Sequence, residues 1–570
     1  MLLLDVSPFP TALMMPSLFP VYKGKGRNPL LTTNYRGIAL TSVVGKLFER
    51  ALLYRMIPVL QEKNFPHPSQ TAYQAGISCA DATEVVQEAI SSHIMYGHSA
   101  FQCFYDLEKA FDSIEYCILL DHLYKAGVNG KTWRIIKSFY DKPTCRVRIN
   151  GKLSEQFVLQ RGVRQGSVLS PILFLIVINS LLVELAQANW GISIKGIYTG
   201  SFGHADDVRS VASDVLSIKK QADIVKAFSE RNLLKVNLDK LEVLEMRSGS
   251  VSYVQPIQID NEFVTPSEHS NCLGVIWMHN LSPKKSILLN TTKAQRAFFA
   301  LGSFGITSGN QNPLTASEIF ETCIIPICLY GSENWLLTDS LLEVLEDFQA
   351  EIGKKILKLP KHHANLSTLI ALGWPTMRYR ILSRKINFLF KLLHPKHKSI
   401  SSDVFKALKD QEPGPLVVQQ CRFLEQVYAT NLTTSLLNNC ADVSLQVIKK
   451  ALLKADQKFI WDQAADHNSL SLLSRDISWL RLWDTARDYG LKAALAVFRL
   501  LTAPTFKETS CSHCNTTIPK SSPPAEHLSS HLTHSLKEIL TTLKDANEGI
   551  FSVGSELCAF LLYDPYTWAT

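Results

Sequence analysis

The 570-residue chain lacks the features that would assign it quickly to a class. Its net charge of +8 is small for the length, so composition permits a polyanionic partner without demanding one. Its 12 cysteines are scattered, and Cys103, Cys117, Cys323 and Cys328 lie in apolar segments; this argues against a disulfide scaffold and predicts buried free thiols of a reducing compartment. No basic start precedes the apolar opening MLLLDVSPFPTALMMP, and Asp5, Pro8 and Pro10 interrupt it, so no signal peptide is expected. The longest apolar run, PILFLIVINSLLVEL from Pro171 to Leu185, carries Asn179 and Glu184 and reads as a buried helix rather than a membrane span. There is no internal repeat. A composition of 46% hydrophobic and 19% charged residues is that of an ordinary globular protein and removes disorder as the default.

Against this background FGHADDVRSV, from Phe202 to Val211, is unusual. Phe202, Ala205, Val208 and Val211 suggest two short strands, with Ala205-Asp206-Asp207 at the turn of a hairpin. Adjacent carboxylates raise each other's proton affinity, so a charged pair needs solvent, cations or bound metal nearby. A solvated turn would satisfy the pair without function, and a third ligand is needed to argue otherwise. Basic residues cluster at Lys23-Gly-Lys25-Gly-Arg27, Arg161 and Arg164, Lys284-Lys285, and Lys354-Lys355 with Lys358 and Lys361. Each cluster alone is compatible with a solvated face.

Periodicity orders the chain into an α+β core through roughly residue 280 and a helical region to about residue 502. Asn34 to Gln61 begins extended and becomes a helix with Val44, Leu47, Leu52 and Leu53 on one side. The strand FQCFYD ends at Asp106, and helical spacing from Ile114 to Ala126 is closed by Gly127. Residues 144–160 read as a hairpin turning at Asn150-Gly151. A glycine-containing loop and the Pro171 helix follow, then the Asp-Asp hairpin, a helix near Val215 to Asn232, and a strand pair around Lys235 to Met246. If FQCFYD neighbours the Asp-Asp hairpin in one sheet, Asp106 joins Asp206 and Asp207. Three such carboxylates can bridge two divalent ions roughly 4 Å apart, which activate a hydroxyl and stabilise the leaving oxygen in phosphoryl transfer.

The chain resembles the reverse transcriptases of non-LTR (LINE-type) retrotransposons. The matching segments occur in family order over about residues 18 to 360: FPVYKGKG, NYRGIAL, FYDLEKAFDSI, RGVRQGSVLSPILF, HADD, LKVNLDKLEVL, NCLGV and ICLYGSENW. The resemblance implies that Asp106, Asp206 and Asp207 are catalytic carboxylates holding two Mg2+ ions. It implies that Gln165 and Gly166 contact the nucleotide, that Arg36 faces the incoming triphosphate, and that Lys240 is a candidate proton donor to pyrophosphate. Phe111, five residues after Asp106, occupies the position of an aromatic ring against the incoming sugar, and Leu273 with Gly274 matches the primer grip. Each has a structural alternative: Gln165, Gly166 and Lys240 as turn residues, Arg36 as a surface arginine, Phe111 as core. Asp112 suits a helix N-cap with Glu115 completing a capping box. The chain departs from the family at His204, usually Tyr or Phe, at QAGISC (residues 74–79), which lacks arginines common there, and at Leu241, where a hydroxyl residue is common.

The implied architecture is α+β, a right-hand polymerase fold of fingers, palm and thumb followed by a mainly helical C-terminal region. Its expected divisions are an N-terminal extension (1–17), fingers and palm (18–250), primer grip and thumb (251–360), a helical region (361–504) and a zinc-binding tail (505–570). In the tail Cys511, Cys514, His527 and His531 have C-x2-C-x12-H-x3-H spacing, which suits one Zn2+ ion, with His534 able to replace His531. The prolines between the pairs favour a knuckle over a base-reading finger, and a solvated histidine cluster is the alternative. The expected activity is RNA-directed DNA polymerisation from deoxynucleoside triphosphates, an RNA template and a DNA primer or target DNA, without a membrane partner, in cytoplasm and nucleus. Complete elements of this family often carry an endonuclease, for which the short N-terminus gives no room, and the expectation is either a 5′-truncated copy or a partial gene model. The competing expectations are a nonenzymatic nucleic-acid-binding relic and an RNA-dependent RNA polymerase.

Overall fold

The computed structural model describes residues 17–24, 26–247, 255–260, 262–304, 312–438 and 444–466, together with the strands Thr509–Ser510 and Thr517–Ile518. It divides into two compact units, one formed by the chain to Leu281 plus Pro395–Pro415, the other by Ser282–His394 and the chain from Leu416.

At the centre of the first unit is a four-stranded antiparallel sheet in the order Glu242–Met246, Ala100–Asp106, Asp207–Ala212, Ser201–His204. FQCFYD reads as a continuous apolar run because both faces of this sheet are covered. Phe101, Cys103, Tyr105, Val208 and Val243 face the helices Ser170–Ala188 and Val215–Arg231. Phe202, Val211, Leu244 and Met246 face the Cys79–Ile94 helix, Trp277 and the Ile400–Leu408 helix. The Ser170–Ala188 helix carries Pro171 in its first turn, stops at left-handed Asn189 (φ 54°), and buries Leu173 to Ile178, Leu181, Leu182 and Leu185. It is long and apolar enough to span a membrane, and its apolar side chains lie in the core of this unit.

A second sheet runs Tyr35–Leu40, Ser17–Tyr22, Thr144–Ile149, Lys152–Leu153, with Phe157–Val158 also paired to Thr144–Ile149. Its hairpin turns at Asn150 and Gly151, both at positive φ (49° and 81°), as the Asn-Gly pair predicts.

Four expectations need correction. The Val43–Glu62 helix buries Phe48, Glu49, Leu52, Met56 and Leu60, whereas Val44 and Leu47 are exposed; the apolar residues spread around the helix, and neighbouring elements choose the face. Residues 235–246 hold one strand rather than two: Val236 makes a single bridge to Leu107, and a 3-10 turn, Leu238–Lys240, precedes Glu242–Met246. Asp112 does not cap a helix. It lies inside the short helix Ala110–Ser113, and Glu115 takes the N-cap place of Tyr116–Lys125 without a side-chain bond. Cys103 and Cys328 are buried free thiols, but Cys117 and Cys323 are exposed.

In the second unit the described residues from Lys284 to Ala465 form helices and their connections. Arg380 ties three of them together, donating two 2.5 Å bonds to Glu321 and one of 3.0 Å to Gln349. Asp456 is buried, and accepts from Thr376 N (3.0 Å) and Tyr428 OH (2.7 Å). Cys511, Cys514, His527 and His531 lie outside the described residues.

Candidate active site

Register brings the three aspartates together. Asp207 opens its strand and is paired with Asp106 across the antiparallel ladder on one side and with His204 on the other. Because alternate side chains share a face, Asp106, Asp207 and His204 project from the same face at one sheet end. Ala205 and Asp206 form the two-residue turn, with Ala205 at φ 58°. Asp106 reaches the sheet end from Ala100, and the chain beyond it is held to the 235–237 segment by Glu108 N to Lys235 O and Asn237 N to Asp106 O, each 2.8 Å.

The electrostatics suit a cation site. Partial burial raises the Asp206 carboxyl above its ordinary range, and the Asp106 charge adds to the shift. Asp207 is pushed up to about 6, first by desolvation, then by Asp206 and Asp106. A divalent ion would relieve this repulsion, and the donors are the hard carboxylate oxygens that Mg2+ takes. Among the described residues no three His, Cys, Asp or Glu side chains already enclose a metal position. Instead Asp106 Oδ2 holds Lys240 Nζ at 2.8 Å, with Asn237 Nδ2 at 3.4 Å. The three carboxylates therefore fit the metals as a donor set, with Lys240 seated on one of them.

Residues that sequence patterns did not single out brace this hairpin. The segment Ser69–Ala72 runs beside Gly203, which donates from N to Ser69 O at 2.9 Å and accepts from Thr71 N at 2.8 Å. Thr71 Oγ1 lies 3.1 Å from His204 Nδ1, and Cys79 Sγ lies 3.9 Å from Nε2. Burial and Arg209 lower the proton affinity of His204, with Asp206 opposing them. Exposed Tyr73 has its phenol raised by desolvation and by Asp206.

Across the cleft the 161–169 loop carries Gln165 and Gly166. Gln165 O accepts from Ala39 N at 2.6 Å, and Gly166 (φ 112°) sits where a Cβ would be 2.4 Å from Ala39 O, so only glycine fits. Gln165 Nε2 donates to Asp112 Oδ1 at 2.9 Å, which is the role Asp112 has in place of capping. Glu49, fully buried on the Val43–Glu62 helix, accepts from Ser167 Oγ (2.9 Å) and Val168 N (2.7 Å). No spacing signal marks Glu49, because an acid on an amphipathic helix reads as solvated. Phe111 is half-buried, stacked on Phe174 with ring centres 4.3 Å apart, and also lines the cleft.

The cleft encloses about 1490 Å³ and is lined by Asp106, Asp112, Asp206, Phe111, Gln165, Gly166 and Lys240. That volume exceeds the roughly 300–1,000 Å³ of an ordinary small-molecule pocket. Arg36 is exposed on its strand and lines the cleft with Lys23, Arg27, Lys46, Lys109 and Arg161. Lys23, which donates from Nζ to Thr33 O at 2.8 Å, has a lowered proton affinity from burial and from Arg27 and Arg36. Leu273 and Gly274 form the left-handed turn (φ 54° and 76°) between His269–Cys272 and Val275–Met278. Leu273 lines a separate crevice with Asp207, His204 and Arg209.

Three aspartates gather at one end of an antiparallel sheet, and two of them, Asp106 and Asp206, line a basic cleft, an arrangement with the attributes of a nucleotidyl-transfer site. Residues 22–277, which hold nearly all of that site, match the reverse transcriptase (RNA-dependent DNA polymerase) family. Within it the chain resembles the enzymes of non-LTR retrotransposons. It is 30% identical over 230 residues to the RNA-directed DNA polymerase from mobile element jockey of Drosophila funebris, covering 40% of this chain and 23% of that protein. It is 26% identical over 228 residues to a Transposon TX1 uncharacterized 149 kDa protein of Xenopus laevis, covering 40% and 17%. A Drosophila melanogaster retrovirus-related Pol polyprotein from type-2 retrotransposable element R2DM is 25% identical over 235 residues, covering 41% and 22%. The chain thus spans less than a quarter of the length of each of these relatives.

Proposed function

We propose that this chain is an RNA-directed DNA polymerase of a non-LTR retrotransposon, copying an RNA template into DNA from deoxynucleoside triphosphates. The observation that carries the reading is the direct cross-strand pairing of Asp106 with Asp207, next to Asp206 in the turn. Two Mg2+ ions held by Asp106, Asp206 and Asp207 would supply the Lewis acidity that activates the primer hydroxyl and stabilises the leaving oxygen. Arg36 and the lysines of the cleft bind the triphosphate and offset its charge. Phe111 packs against the sugar, while Gln165 and the bare backbone of Gly166 seat the nucleotide. Lys240, already beside Asp106, holds a proton within reach of the site for the departing pyrophosphate. Leu273 and Gly274 support the primer end.

In this reading the five-stranded and four-stranded sheets of the first unit belong to fingers and palm, and the helices from Lys284 onward begin the thumb. RNA and a DNA primer or target are the partners, and cytoplasm and nucleus the sites of action. The intact acids weigh against a catalytically inactive relic. The deciding experiment is primer extension on an RNA template with Mg2+, comparing the purified chain with Asp206→Ala and Asp106→Asn. Extension by the wild-type chain and loss in both variants, with RNA binding retained, is the expected result; extension by either variant removes the carboxylate assignment.

The tail adds a zinc ion through Cys511, Cys514, His527 and His531, since thiolates and imidazoles at this spacing suit Zn2+. Metal analysis of the full chain should find about one zinc per chain, as a single four-ligand site requires. Undiminished zinc in a Cys511→Ser, Cys514→Ser double variant would remove the site.

A further inference from the structure

The turn that presents Asp206 is made from residues poorly suited to it. A two-residue hairpin turn of this kind favours Gly or Asn at its first position, because positive φ costs an ordinary residue roughly 1 kcal/mol. Here that position is Ala205, at φ 58°. A contact from outside the hairpin can offset that cost.

Gln70 makes such a contact. Its side chain is 1% exposed, and its Oε1 accepts from Ala205 N at 3.1 Å and from Ala72 N at 3.0 Å. Two backbone donors converging on one atom require that atom to be the carbonyl oxygen, which sets the amide orientation. The side chain reaches the turn by passing over Gly203, where a Cβ would stand 3.0 Å from Gln70 Nε2. Backbone bonds between Gly203 and both Ser69 and Thr71 hold Gln70 in place on the outer side of the hairpin. The one amide that Gln70 fixes in the hairpin is the residue immediately before Asp206. An error there swings the carboxylate directly, with no intervening side chain to absorb it.

We infer that Gln70 is a positioning residue for the Asp206 carboxylate, setting the turn so that Asp206 can share cations with Asp106. The inference rests on the metal-dependent polymerase reading above. Its test uses the full chain and two variants: Gln70→Met, which keeps the length and removes the acceptor, and Gln70→Asn, which keeps the amide and withdraws it from Ala205. Leu119→Ala, in the buried face of the Tyr116–Lys125 helix, serves as a control for lost stability alone.

Three quantities are measured: Mn2+ binding by calorimetry, the Mg2+ concentration giving half-maximal primer extension, and the melting temperature. Both Gln70 variants should weaken Mn2+ binding severalfold, raise the half-saturating Mg2+ concentration in step, and lower kcat by about tenfold or more, as expected for a misplaced catalytic group. Leu119→Ala should lower the melting temperature and leave the cation requirement unchanged. If the Gln70 variants keep wild-type Mn2+ binding and Mg2+ requirement, or if both fail to fold, the inference is overturned. If the wild-type chain does not extend primers yet its Mn2+ binding weakens on Gln70 substitution, the polymerase reading fails and the positioning role stands.

Discussion

Lys240 Nζ lies 2.8 Å from Asp106 Oδ2, with side chains 62% and 36% exposed. An ion pair this open to solvent contributes about 0–1 kcal/mol to folding. Its value is local: it places an ammonium beside the acid proposed to hold a cation. Lys240→Gln should leave the melting temperature nearly unchanged and tighten Mn2+ binding by freeing Asp106. It should also slow single-turnover extension by about a hundredfold, the scale of a lost general acid. Wild-type rates in this variant would leave Lys240 a structural partner only.

Glu49 supports the 161–169 loop, proposed to seat the nucleotide, through Ser167 Oγ and Val168 N. In Glu49→Gln one of the two loop donors faces an NH2 group, and an unsatisfied buried group costs about 1–3 kcal/mol. Steady-state kinetics should show a raised KM for the nucleotide with kcat less affected. A fall in kcat at constant KM, matched by the folded fraction, would count against a role in seating the nucleotide.

Phe111 has one face on Phe174 and borders the cleft, and a core role and a gate role predict different outcomes. The two separate in Phe111→Ala. Loss of packing lowers stability by up to about 3 kcal/mol, because the side chain is only half-buried. Loss of a gate also raises ribonucleotide relative to deoxynucleotide incorporation. The ratio of the two efficiencies on folded protein decides, and an unchanged ratio leaves Phe111 as core.

Glu346, in the second unit, has its carboxyl pushed up to about 7, chiefly by burial and further by the Asp456 charge. An acid whose folded value lies above its unfolded value of about 4.3 takes up a proton on folding. Its contribution to stability is therefore greatest at low pH and falls as pH rises through the window from about 4.3 to 7. Gln keeps the acceptor that Arg378 N uses at 3.1 Å. Glu346→Gln should raise the melting temperature at pH 8 and leave it nearly unchanged at pH 4.5, read by thermal melts across that range. Equal shifts at both ends would contradict the assignment.

Elements whose signal is local were legible in advance. The Asn150-Gly151 hairpin, the FQCFYD strand and the Ser170–Ala188 helix depend on turn chemistry, apolar runs and a proline start, and they form close to where the residues predict. Elements that depend on a neighbour were not. The helix from Val43 buries Phe48 and Glu49 in place of Val44 and Leu47, since its apolar residues admit more than one face and adjoining elements select it. Asp112 and Glu115 have capping-box spacing, yet Gln165, 53 residues away, claims the Asp112 carboxylate.

The sequence by itself determined which acids could act and in what order the segments around them run, because those are properties of residue identity and spacing. Only the tertiary structure decided that Asp106 stands opposite Asp207, that Lys240 is seated on Asp106, and that Gln70 and Glu49 reach the turn and the loop beside them. A buried polar side chain is chosen by the unpaired backbone donors it must satisfy. Those donors belong to segments far away in the chain, so no local pattern announces the residue that serves them.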